Sequence, residues 1–471
     1  MKVVTQHYIN GAFVDSRGQE LMEILSPATG ESIGRATLGS AEDARLAIAA
    51  AKTAFETYSV SSLAERGEIL TRLANAITPR IDDMIAIMIE EYGGLTTFCR
   101  FVVEQARDFF ARAPQLLVDK NFQEQMGDAT IRRVPCGVAG LITPWNGSCW
   151  FVCMKAASAL AAGCTVVVKP SEMSALQTQV LLECFHEAKI PAGLLNVVNG
   201  RGDVVGAEIV RSPDVQKISF TGSTAVGKKI ARDSVETLKR VTLELGGKSP
   251  FIMLKDANLD RAIPFALQAG FMNSGQACVA GTRLLVPNSR LSEFTEALKA
   301  AVQKVKVGEP QDSDARIGPL VSRKQYERVE SYIQRGIEEG AEVMIGGLGH
   351  PSGLDKGNFV KPTVFTNVSN DMTIAREEIF GPVLSVIGYD SEEEAVRIAN
   401  ETTYGLQAYI STEDIAHGRE VGKKILAGRV LINRFCDQPN APFGGFKQSG
   451  IGREFGRYGL QSYQELQVIF G

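Results

Sequence analysis

Apolar positions recur at helical spacing through the first quarter of the chain. Ala- and Leu-rich stretches with few helix breakers predict helices over residues 41–58 and 63–92, and a third over 100–117. Ahead of them, the Asn-Gly step at positions 10–11, between apolar and aromatic residues, predicts a short β-hairpin. The polar interval 118–133 breaks this pattern, and we expect it to leave the main body of the fold.

After residue 134 the pattern changes to short β-branched runs that end in Gly, Pro, Ser or Thr. Five such runs alternate with four helical stretches between residues 137 and 247, which predicts a doubly wound parallel sheet. Such sheets bind ligands beyond the carboxyl ends of their strands, so the polar residues after each run are candidate contacts. The alternation then resumes and predicts a second α/β unit, with strands expected over 250–254, 282–287, 382–388, 406–410 and 429–433.

Composition describes an ordinary globular protein. The chain has 471 residues, of which 44% are hydrophobic and 22% charged. At ~150 residues per domain, this length suggests about three structural units. The net charge of −4 gives no basic footprint, so we do not expect a nucleic-acid partner.

The sequence also argues against a membrane protein. No apolar run approaches the ~18 residues of a membrane span. Polar residues interrupt the N-terminal stretch where a signal peptide would have its apolar core. We therefore expect a cytoplasmic protein without a membrane partner.

Cysteine and histidine usage argues against a disulfide framework and against a metal site. The eight cysteines include no C-x-x-C pair, and the four histidines are scattered along the chain. We expect neither structural disulfides nor zinc. A protease of the Cys-His type would need a histidine from a distant part of the sequence.

Cys278 is the first candidate for chemistry, in the stretch FMNSGQACVAGTR. A nucleophilic thiol needs small neighbours so that a carbonyl carbon can approach, and nearby N–H groups to hold the oxyanion. Ala277, Ala280 and Gly281 meet the first need. On these residues alone, a reactive thiol and a small buried apolar residue are equally open interpretations.

Further polar residues follow the predicted strands. Glu244 precedes two glycines in LELGGK and could act as a general base, although most such glutamates face water. The amide of Asn146, in ITPWNG, could donate to an oxyanion, and Glu378 in EEIFGP adds another acid.

Two segments suit a nucleotide. The turn at 222–227 lies between a predicted strand and a predicted helix, where N–H groups and the helix dipole could bind phosphate. It lacks the G-x-G-x-x-G pattern, so a simple helix cap is the alternative. Lys169 and Glu172 in KPSE could bind ribose hydroxyls, or could form a solvated loop.

Taken together, these motifs resemble those of the NAD(P)-dependent aldehyde dehydrogenase superfamily over essentially the whole chain. Seven segments match in the order of the family. They are PWN at 144–146, KPSE at 169–172, FTGSTAVG at 220–227, LELGGK at 243–248, FMNSGQACVAGTR at 271–283, EEIFGP at 377–382 and PFGGFKQSGIGRE at 442–454.

The resemblance implies an α/β aldehyde dehydrogenase fold with three parts. A Rossmann-like NAD(P)-binding domain would comprise 1–117 and 134–245, and a second α/β catalytic domain 246–454. A small β oligomerisation element would comprise 118–133 and 455–471. The resemblance also implies a homodimer or homotetramer.

The implied reaction begins when the Cys278 thiolate attacks an aldehyde to give a thiohemiacetal, whose oxyanion is held by Asn146 and the backbone N–H of Cys278. Hydride transfer leaves a thioester, and Glu244 activates the water that hydrolyses it. Glu454 matches a position implicated in proton transfer in some relatives. The alternatives are an esterase or acyl-transferase that uses the same thioester, and a non-catalytic binding protein. The presence of Glu244 favours water over coenzyme A as the acceptor of the acyl group. The presence of Cys278, Glu244 and Asn146 together favours an enzyme over a non-catalytic protein.

The implied coenzyme is NAD, because the carboxylate of Glu172 would repel the 2′-phosphate of NADP; NADP use stays open. Coenzyme contacts are expected at Thr143, Trp145, Lys169, Ser171, Glu172, Gly202, Phe220, Gly222, Ser223, Val226, Leu245, Gln325, Glu378 and Phe380.

A mostly apolar substrate pocket is expected. It would be lined by Gly147, Trp150, Met154, Met272, Asp437 and Phe443. Gly147 stands where relatives often carry a bulky aromatic residue. We therefore expect a medium-sized aliphatic or aromatic aldehyde, and Asp437 argues against an acidic one.

Overall fold

The N-terminal region combines a hairpin, a small sheet and a group of helices. The structure, a computed structural model, describes residues 2–435 and 438–471. This region comprises β1 (Lys2–Val4), β2 (Gln6–Ile9), β3 (Ala12–Asp15), β4 (Glu20–Leu25), β5 (Ser32–Leu38), α1 (Ala41–Tyr58), α2 (Leu63–Ile77), α3 (Ile81–Tyr92) and α4 (Thr96–Arg112). Strands β1, β5 and β4 form a three-stranded sheet.

The predicted hairpin is confirmed. Ile9 pairs with Ala12 across Asn10 and Gly11, whose φ angles of 55° and 77° suit a two-residue turn. Helix α1 also has the predicted bounds. It begins after Ser40, which forms a reciprocal capping box with Asp43.

The two later helix predictions need correction. The single helix predicted over 63–92 is wrong, because Pro79 lies in a 3₁₀ turn, Thr78–Arg80, that separates α2 from α3. Proline has no N–H to donate within a helix. Helix α4 begins four residues before the predicted start and ends at Arg112, since Pro114 belongs to the next 3₁₀ turn.

The central sheet contains the five predicted parallel strands, which are confirmed. The middle of the chain comprises β6 (Gln123–Met126), β7 (Ala129–Pro135), β8 (Val138–Ile142), α5 (Ser148–Ala162), β9 (Thr165–Lys169), α6 (Ala175–Glu187), β10 (Leu195–Val197), α7 (Ala207–Arg211), β11 (Lys217–Thr221), α8 (Thr224–Val235) and β12 (Arg240–Glu244). The strand order is β12-β11-β8-β9-β10. The chain adds β9 and β10 on one side of β8 and then crosses over to add β11 and β12 on the other side, so the switch point lies between β8 and β11. Ligand sites of doubly wound sheets lie at such a switch point, beyond the carboxyl ends.

A second mixed sheet follows, with α9 and α10 packed on it. The remaining elements are β13 (Ser249–Met253), α9 (Leu259–Phe271), β14 (Gly281–Pro287), α10 (Leu291–Val302), α11 (Arg323–Glu338), β15 (Glu342–Ile345), β16 (Thr363–Thr366), α12 (Thr373–Arg376), β17 (Val383–Tyr389), α13 (Glu392–Asn400), β18 (Gln407–Ser411), α14 (Ile415–Lys423), β19 (Arg429–Ile432), β20 (Gly450–Ile451), α15 (Gly456–Gln461) and β21 (Gln464–Phe470). Its order is β15-β16-β17-β14-β13-β18-β19. The five predicted strands are confirmed within a residue or two, whereas β15 and β16 were not predicted.

Two late segments return to the first half of the chain. Strand β20 pairs with β12, opposite Leu243 and Glu244, and extends the central sheet. Strand β21 pairs with β7, which also pairs with β6 in a separate three-stranded sheet. Within the described ranges, no helix is both long enough and apolar enough to cross a bilayer.

Candidate active site

A cavity of about 640 Å³ lies beyond the carboxyl ends of β8 and β11, and its volume is typical of a cofactor site. Cys278, Glu244 and Asn146 all line it. They come from three different segments, because Asn146 follows β8, Glu244 ends β12 and Cys278 precedes β14. The structure therefore brings together the three residues predicted to be catalytic.

The backbone ahead of Cys278 has an unusual conformation. Three consecutive residues are left-handed, with φ of 52° at Asn273, 57° at Ser274 and 73° at Gly275. Each non-glycine residue in this region costs about 1–2 kcal/mol. The Tyr92 hydroxyl donates to Asn273 Oδ1 at 2.8 Å and fixes the first of them. Tertiary contacts thus hold a turn that its own sequence disfavours.

Two glycines allow other segments to pack against this turn. A Cβ at Gly275 would lie 2.2 Å from the carbonyl of Gly381, and a Cβ at Gly247 would lie 2.3 Å from the carbonyl oxygen of Cys278. Neither distance leaves room for a side chain. The EEIFGP and LELGGK segments therefore contact the Cys278 turn through backbone.

Cys278 faces the cavity, but the surroundings of its sulfur keep the thiol protonated. Burial foremost, and then Glu378 and Glu244, raise its pKa to about 12, although the N–H groups of Cys278 and Val279 act in the opposite direction. A thiol in this state needs a proton acceptor before it can attack a carbonyl.

Glu244 is 3% exposed, and neither of its carboxylate oxygens has a hydrogen-bond partner within the described part of the chain. Burial, and then the charge of Glu454, raise its pKa well above the usual value, against the opposing effect of Lys155 and Arg453. An unpartnered carboxylate of raised pKa is a stronger base than a solvated one once it is ionised.

Asn146 is held by one hydrogen bond. Its Nδ2 donates to the carbonyl of Gln276 at 3.0 Å, and the same carbonyl accepts from Asn273 Nδ2 at 3.0 Å. An amide nitrogen carries two hydrogens. The bond to Gln276 orients the Asn146 side chain and leaves one N–H free to donate into the cavity.

Glu378 lies beside the two glycines that follow Glu244. Its Oε1 accepts from the N–H of Gly247 at 3.1 Å, and a Cβ at Gly246 would be 2.7 Å from Oε2. Burial raises its pKa to about 7. Gln325 Nε2 donates to the carbonyl of Phe380 at 2.8 Å, so Gln325 fixes the backbone after Glu378.

The other end of the cavity contains the N-terminus of α8. Ser223 is its N-cap, and the hydroxyl accepts from the N–H of Val226 at 3.4 Å. A Cβ at Gly222 would lie 2.5 Å from the Phe220 ring, which underlies the turn. Glycine is therefore required for the approach of this turn to Phe220.

Comparison with known proteins identifies the family. The sequence profile described as "Aldehyde dehydrogenase family" matches residues 13–469. The chain belongs to this family. Its fold is the aldehyde dehydrogenase fold, and its activity is the NAD(P)-dependent oxidation of an aldehyde.

Solved members of the aldehyde dehydrogenase family superpose along the whole chain. One is aldehyde dehydrogenase C from Pseudomonas syringae, solved as a cysteine-to-alanine mutant complexed with NAD⁺ and octanal. It is 40% identical with a TM-score of 0.97, and the match covers 99% of this chain and 96% of that one. An aldehyde dehydrogenase from Bartonella henselae is 37% identical with a TM-score of 0.97, covering 100% of both chains. One from Mycobacterium tuberculosis, complexed with NAD⁺, is 39% identical with a TM-score of 0.95, covering 100% and 98%.

Most positions that the family resemblance assigns to the coenzyme line this cavity. They are Trp145, Ser171, Glu172, Gly222, Ser223, Val226, Leu245, Gln325, Glu378 and Phe380. Four others do not line it. Thr143 and Phe220 are buried at strand ends. Lys169 is buried beneath Glu172, with its Nζ 3.1 Å from Oε2 of that carboxylate. Gly202 is exposed at the start of a π-helical turn.

The predicted substrate positions form an aromatic wall beyond Asn146. A Cβ at Gly147 would lie 3.4 Å from the Phe151 ring and 3.5 Å from the Trp150 ring. Trp150 stacks on Phe109 with ring centroids 6.3 Å apart. Met154, one turn after Phe151, lines a separate small cleft with Phe109.

Three other substrate predictions have different outcomes. Phe443 packs on Phe455 with centroids 5.3 Å apart, at the end of the same aromatic group. Met272 is half-buried in the turn ahead of Cys278 and does not line the main cavity. The prediction for Asp437 lies outside the described residues.

Several residues that line the cavity were not predicted from sequence, among them Phe151, Thr221 and Arg328. Phe151 lies one helical turn after Gly147, a spacing that could have identified it. Thr221 ends β11, immediately before the predicted glycine turn. Arg328 lies on α11 and donates to the carbonyls of Glu378 and Ile379, contacts between distant segments that no local pattern indicates.

Proposed function

We propose that this chain oxidises medium-sized aliphatic or aromatic aldehydes to carboxylic acids through a thioester on Cys278, with NAD as its preferred coenzyme. One observation carries the proposal. Cys278, Glu244 and Asn146 converge on a single cavity that continues to the N-terminus of α8.

The residues at the α8 end fit a dinucleotide. The capped helix N-terminus attracts the pyrophosphate, and the buried Thr221 hydroxyl has no hydrogen-bond partner among the residues that the structure describes. Glu172, which is held in place by Lys169, supplies an acceptor for ribose hydroxyls, and its carboxylate repels a 2′-phosphate. Two of the related structures described above contain NAD⁺, which supports the same coenzyme here. When bound, NAD supplies the acceptor for the hydride that leaves the substrate carbon.

The attack requires the Cys278 proton to leave. Ionised Glu244 accepts this proton, because its oxygens have no other partner. The Cys278 sulfur then bonds to the aldehyde carbon, and the carbonyl oxygen becomes an oxyanion. The free N–H of Asn146 and the backbone N–H of Cys278 stabilise this oxyanion, and one such donor contributes about 3–4 kcal/mol.

Hydrolysis of the thioester uses Glu244 again, after the proton taken from Cys278 has left it for Glu454. The carboxylate takes a proton from water, the water oxygen bonds to the thioester carbon, and the bond to the Cys278 sulfur breaks. Glu454 is buried beyond Glu244 and forms an ion pair with Lys155, with Ser219 bonded to both. We assign Glu454 as the group that receives the proton from Glu244.

The substrate assignment rests on the missing side chain at Gly147. A Cβ there would already contact the apolar rings of Phe151 and Trp150, so a larger side chain would meet both of them. The octanal complex of the Pseudomonas syringae relative supports a medium-sized aldehyde. Gly147→Phe is expected to lower kcat/KM for octanal or phenylacetaldehyde by about 10–100-fold, with a smaller change for propanal.

The separate small sheet supports a proposal for assembly and domain boundaries. We propose that residues 118–133 and 455–471 join subunits into a homodimer or homotetramer, and that 1–117 with 134–245 and 246–454 are the coenzyme and catalytic domains. Strand β21 is a sheet edge with exposed apolar residues, including Leu466 and Phe470, which supports strand addition across subunits.

The seven free cysteines of the described ranges support a reducing compartment, the cytoplasm.

The test is NADH or NADPH formation by purified protein across a panel of aliphatic and aromatic aldehydes, with the carboxylic acid quantified. Wild type and Cys153→Ala, which removes a buried thiol outside the cavity, are expected to be active. Cys278→Ala is expected to lose at least about 10⁴-fold in kcat while still binding NAD. Equal activity of Cys278→Ala and wild type would overturn the thioester mechanism.

A further inference from the structure

Two cysteines lie in contact at the amino edge of the central sheet. Cys136 precedes β8 and Cys164 precedes β9, and these strands pair in parallel with Val138 opposite Thr165. Neighbouring strands run about 4.8 Å apart, so residues just ahead of paired positions are close. The two sulfurs are 3.7 Å apart.

The hydrogen bonds around the pair assign its protons. The Cys164 thiol donates to the carbonyl of Tyr463 at 3.3 Å, and the same carbonyl accepts from the Cys136 N–H at 3.0 Å. Each thiol has one proton, so the contact between the sulfurs is donated by the Cys136 S–H. Cys136 is partly exposed, whereas Cys164 is fully buried.

The two thiols differ in acidity. Burial opposes ionisation of Cys164. Its pKa is nevertheless lowered, first by the hydrogen bond from the Cys136 thiol, and then by the N–H groups of Gly137 and Cys136 and by the charge of Arg66. The hydrogen bond to Cys164, and then burial, raise the pKa of Cys136. Every other cysteine in the described part of the chain, Cys278 included, has a raised pKa. Cys164 is therefore placed to attack an oxidised Cys136.

We propose that Cys136 and Cys164 form a reversible disulfide on exposure to peroxide, at a site separate from Cys278. The Cys136 sulfur bonds to one oxygen of hydrogen peroxide, the O–O bond breaks, and one water leaves behind a sulfenic acid. The Cys164 sulfur then attacks this sulfenic sulfur, the S–O bond breaks, and a second water leaves. Two thiols lose two electrons and two protons, and one peroxide is reduced to two waters.

The geometry requires only a small movement. A disulfide bond is ~2.05 Å long, so the sulfurs must approach by about 1.7 Å, which side-chain rotation can provide. The bond would close the segment between Cys136 and Cys164, which contains β8, Asn146 and α5. It lies at the amino end of strands whose carboxyl ends meet the cavity, so access to Cys278 stays unchanged.

The test uses full-length Cys278→Ala protein, so that the catalytic thiol does not interfere. After treatment with hydrogen peroxide and alkylation, non-reducing peptide mapping is expected to find Cys136 linked to Cys164 and two fewer of the seven remaining thiols. Dithiothreitol should restore both. Cys149→Ser, a change at another buried cysteine, should keep the link, whereas Cys136→Ser and Cys164→Ala should each abolish it.

The competition with the catalytic thiol is measured in wild type. The Cys136–Cys164 link is expected to form under the same peroxide treatment that oxidises Cys278, because Cys136 is partly exposed and a sulfenic acid there has a second thiol 3.7 Å away. The proposal fails if Cys136 and Cys164 stay alkylatable after Cys278 is oxidised. It also fails if Cys136 proceeds to a sulfinic acid beside a free Cys164. Neither result depends on aldehyde turnover.

Discussion

Two carboxylates at opposite ends of the cavity, Glu172 and Glu244, differ in whether they have a partner among the described residues. At the α8 end, Lys169 and Glu172 are paired at 3.1 Å, and the Ser223 hydroxyl caps its own helix. At the reaction end, both oxygens of Glu244 lack partners, and burial holds the Cys278 thiol protonated with a pKa of about 12. Groups that bind can be satisfied in the resting state. The groups proposed to react, Cys278 and Glu244, are expected to gain their partners in the transition state.

Backbone geometry follows the same division. Ser223 has an ordinary extended conformation, with φ −70° and ψ 146°, as an N-cap requires. Asn273 and Ser274, ahead of Cys278, are left-handed and need contacts from other segments. Local sequence is enough to build the binding end, whereas the reaction end depends on the complete fold.

The largest effect is expected when the base at the reaction end is removed. Glu244→Gln should lower the steady-state kcat by about 10²–10⁴-fold, because the thioester then lacks a group to activate water. Rapid mixing with aldehyde and NAD is the measurement, and NADH formation in the first turnover should also slow, because Glu244 is proposed to accept the Cys278 proton as well. Glu236→Gln, at an exposed position, should behave as wild type. A steady-state kcat of Glu244→Gln within twofold of wild type would remove Glu244 from the mechanism.

A smaller loss is expected for Asn146→Ala. Removal of one oxyanion donor should lower kcat by about 10²–10³-fold with little change in NAD affinity. Steady-state kinetics together with NAD titration by protein fluorescence separate the two effects. Asn288→Ala, which changes an asparagine that bonds to Asp390 far from the cavity, is the matched control. A change in NAD affinity alone would place Asn146 at the binding end instead.

The pH dependence of thioester hydrolysis tests whether the pKa of Glu244 is raised. Burial and Glu454 raise its pKa, so the carboxyl is protonated, and inactive as a base, until the pH passes that raised value. Thioester hydrolysis should therefore rise about tenfold per pH unit along an acidic limb. Because Gln does not titrate, this limb should be absent in Glu244→Gln. An identical limb in the variant would assign the titration to another group.

The smallest effect is expected at the binding end. Glu172→Gln removes the negative charge that disfavours a 2′-phosphate but keeps a hydrogen-bonding side chain. The ratio of kcat/KM for NADP over NAD should rise by about tenfold, with kcat for NAD changed less than twofold. Kinetics with both coenzymes check this, and Glu187→Gln, at an exposed position, provides the control. An unchanged ratio would show that other residues select the coenzyme.

A feature could be predicted from sequence where it depends on a local pattern. The parallel strands and the residues that follow them were predictable because each depends on a local pattern, as with Asn146 after β8 and Ser223 after β11. The break at Pro79 was also a local signal, but the apolar period on both sides obscured it. Strands β15 and β16 were missed because each has only four residues, too few to establish a clear apolar pattern.

Other features had no local signal. The left-handed turn before Cys278 depends on Tyr92, which is 181 positions from Asn273. Arg328 reaches the cavity because α11 packs against the segment after Glu378. The contact between Cys136 and Cys164 follows from the register of two strands, which sequence spacing does not give.

The short strand β20 has a consequence for how the enzyme is made. It pairs beside Glu244 only after residue 450 has been synthesised, and a Cβ at Gly444 in the same segment would lie 2.7 Å from Glu244 Oε1. At roughly 5–20 residues per second, the delay between the two strands is about 10–40 s. During that time the edge of β12 is open. A ribosome that stops early therefore releases a chain that has Cys278 but not the complete surroundings of Glu244.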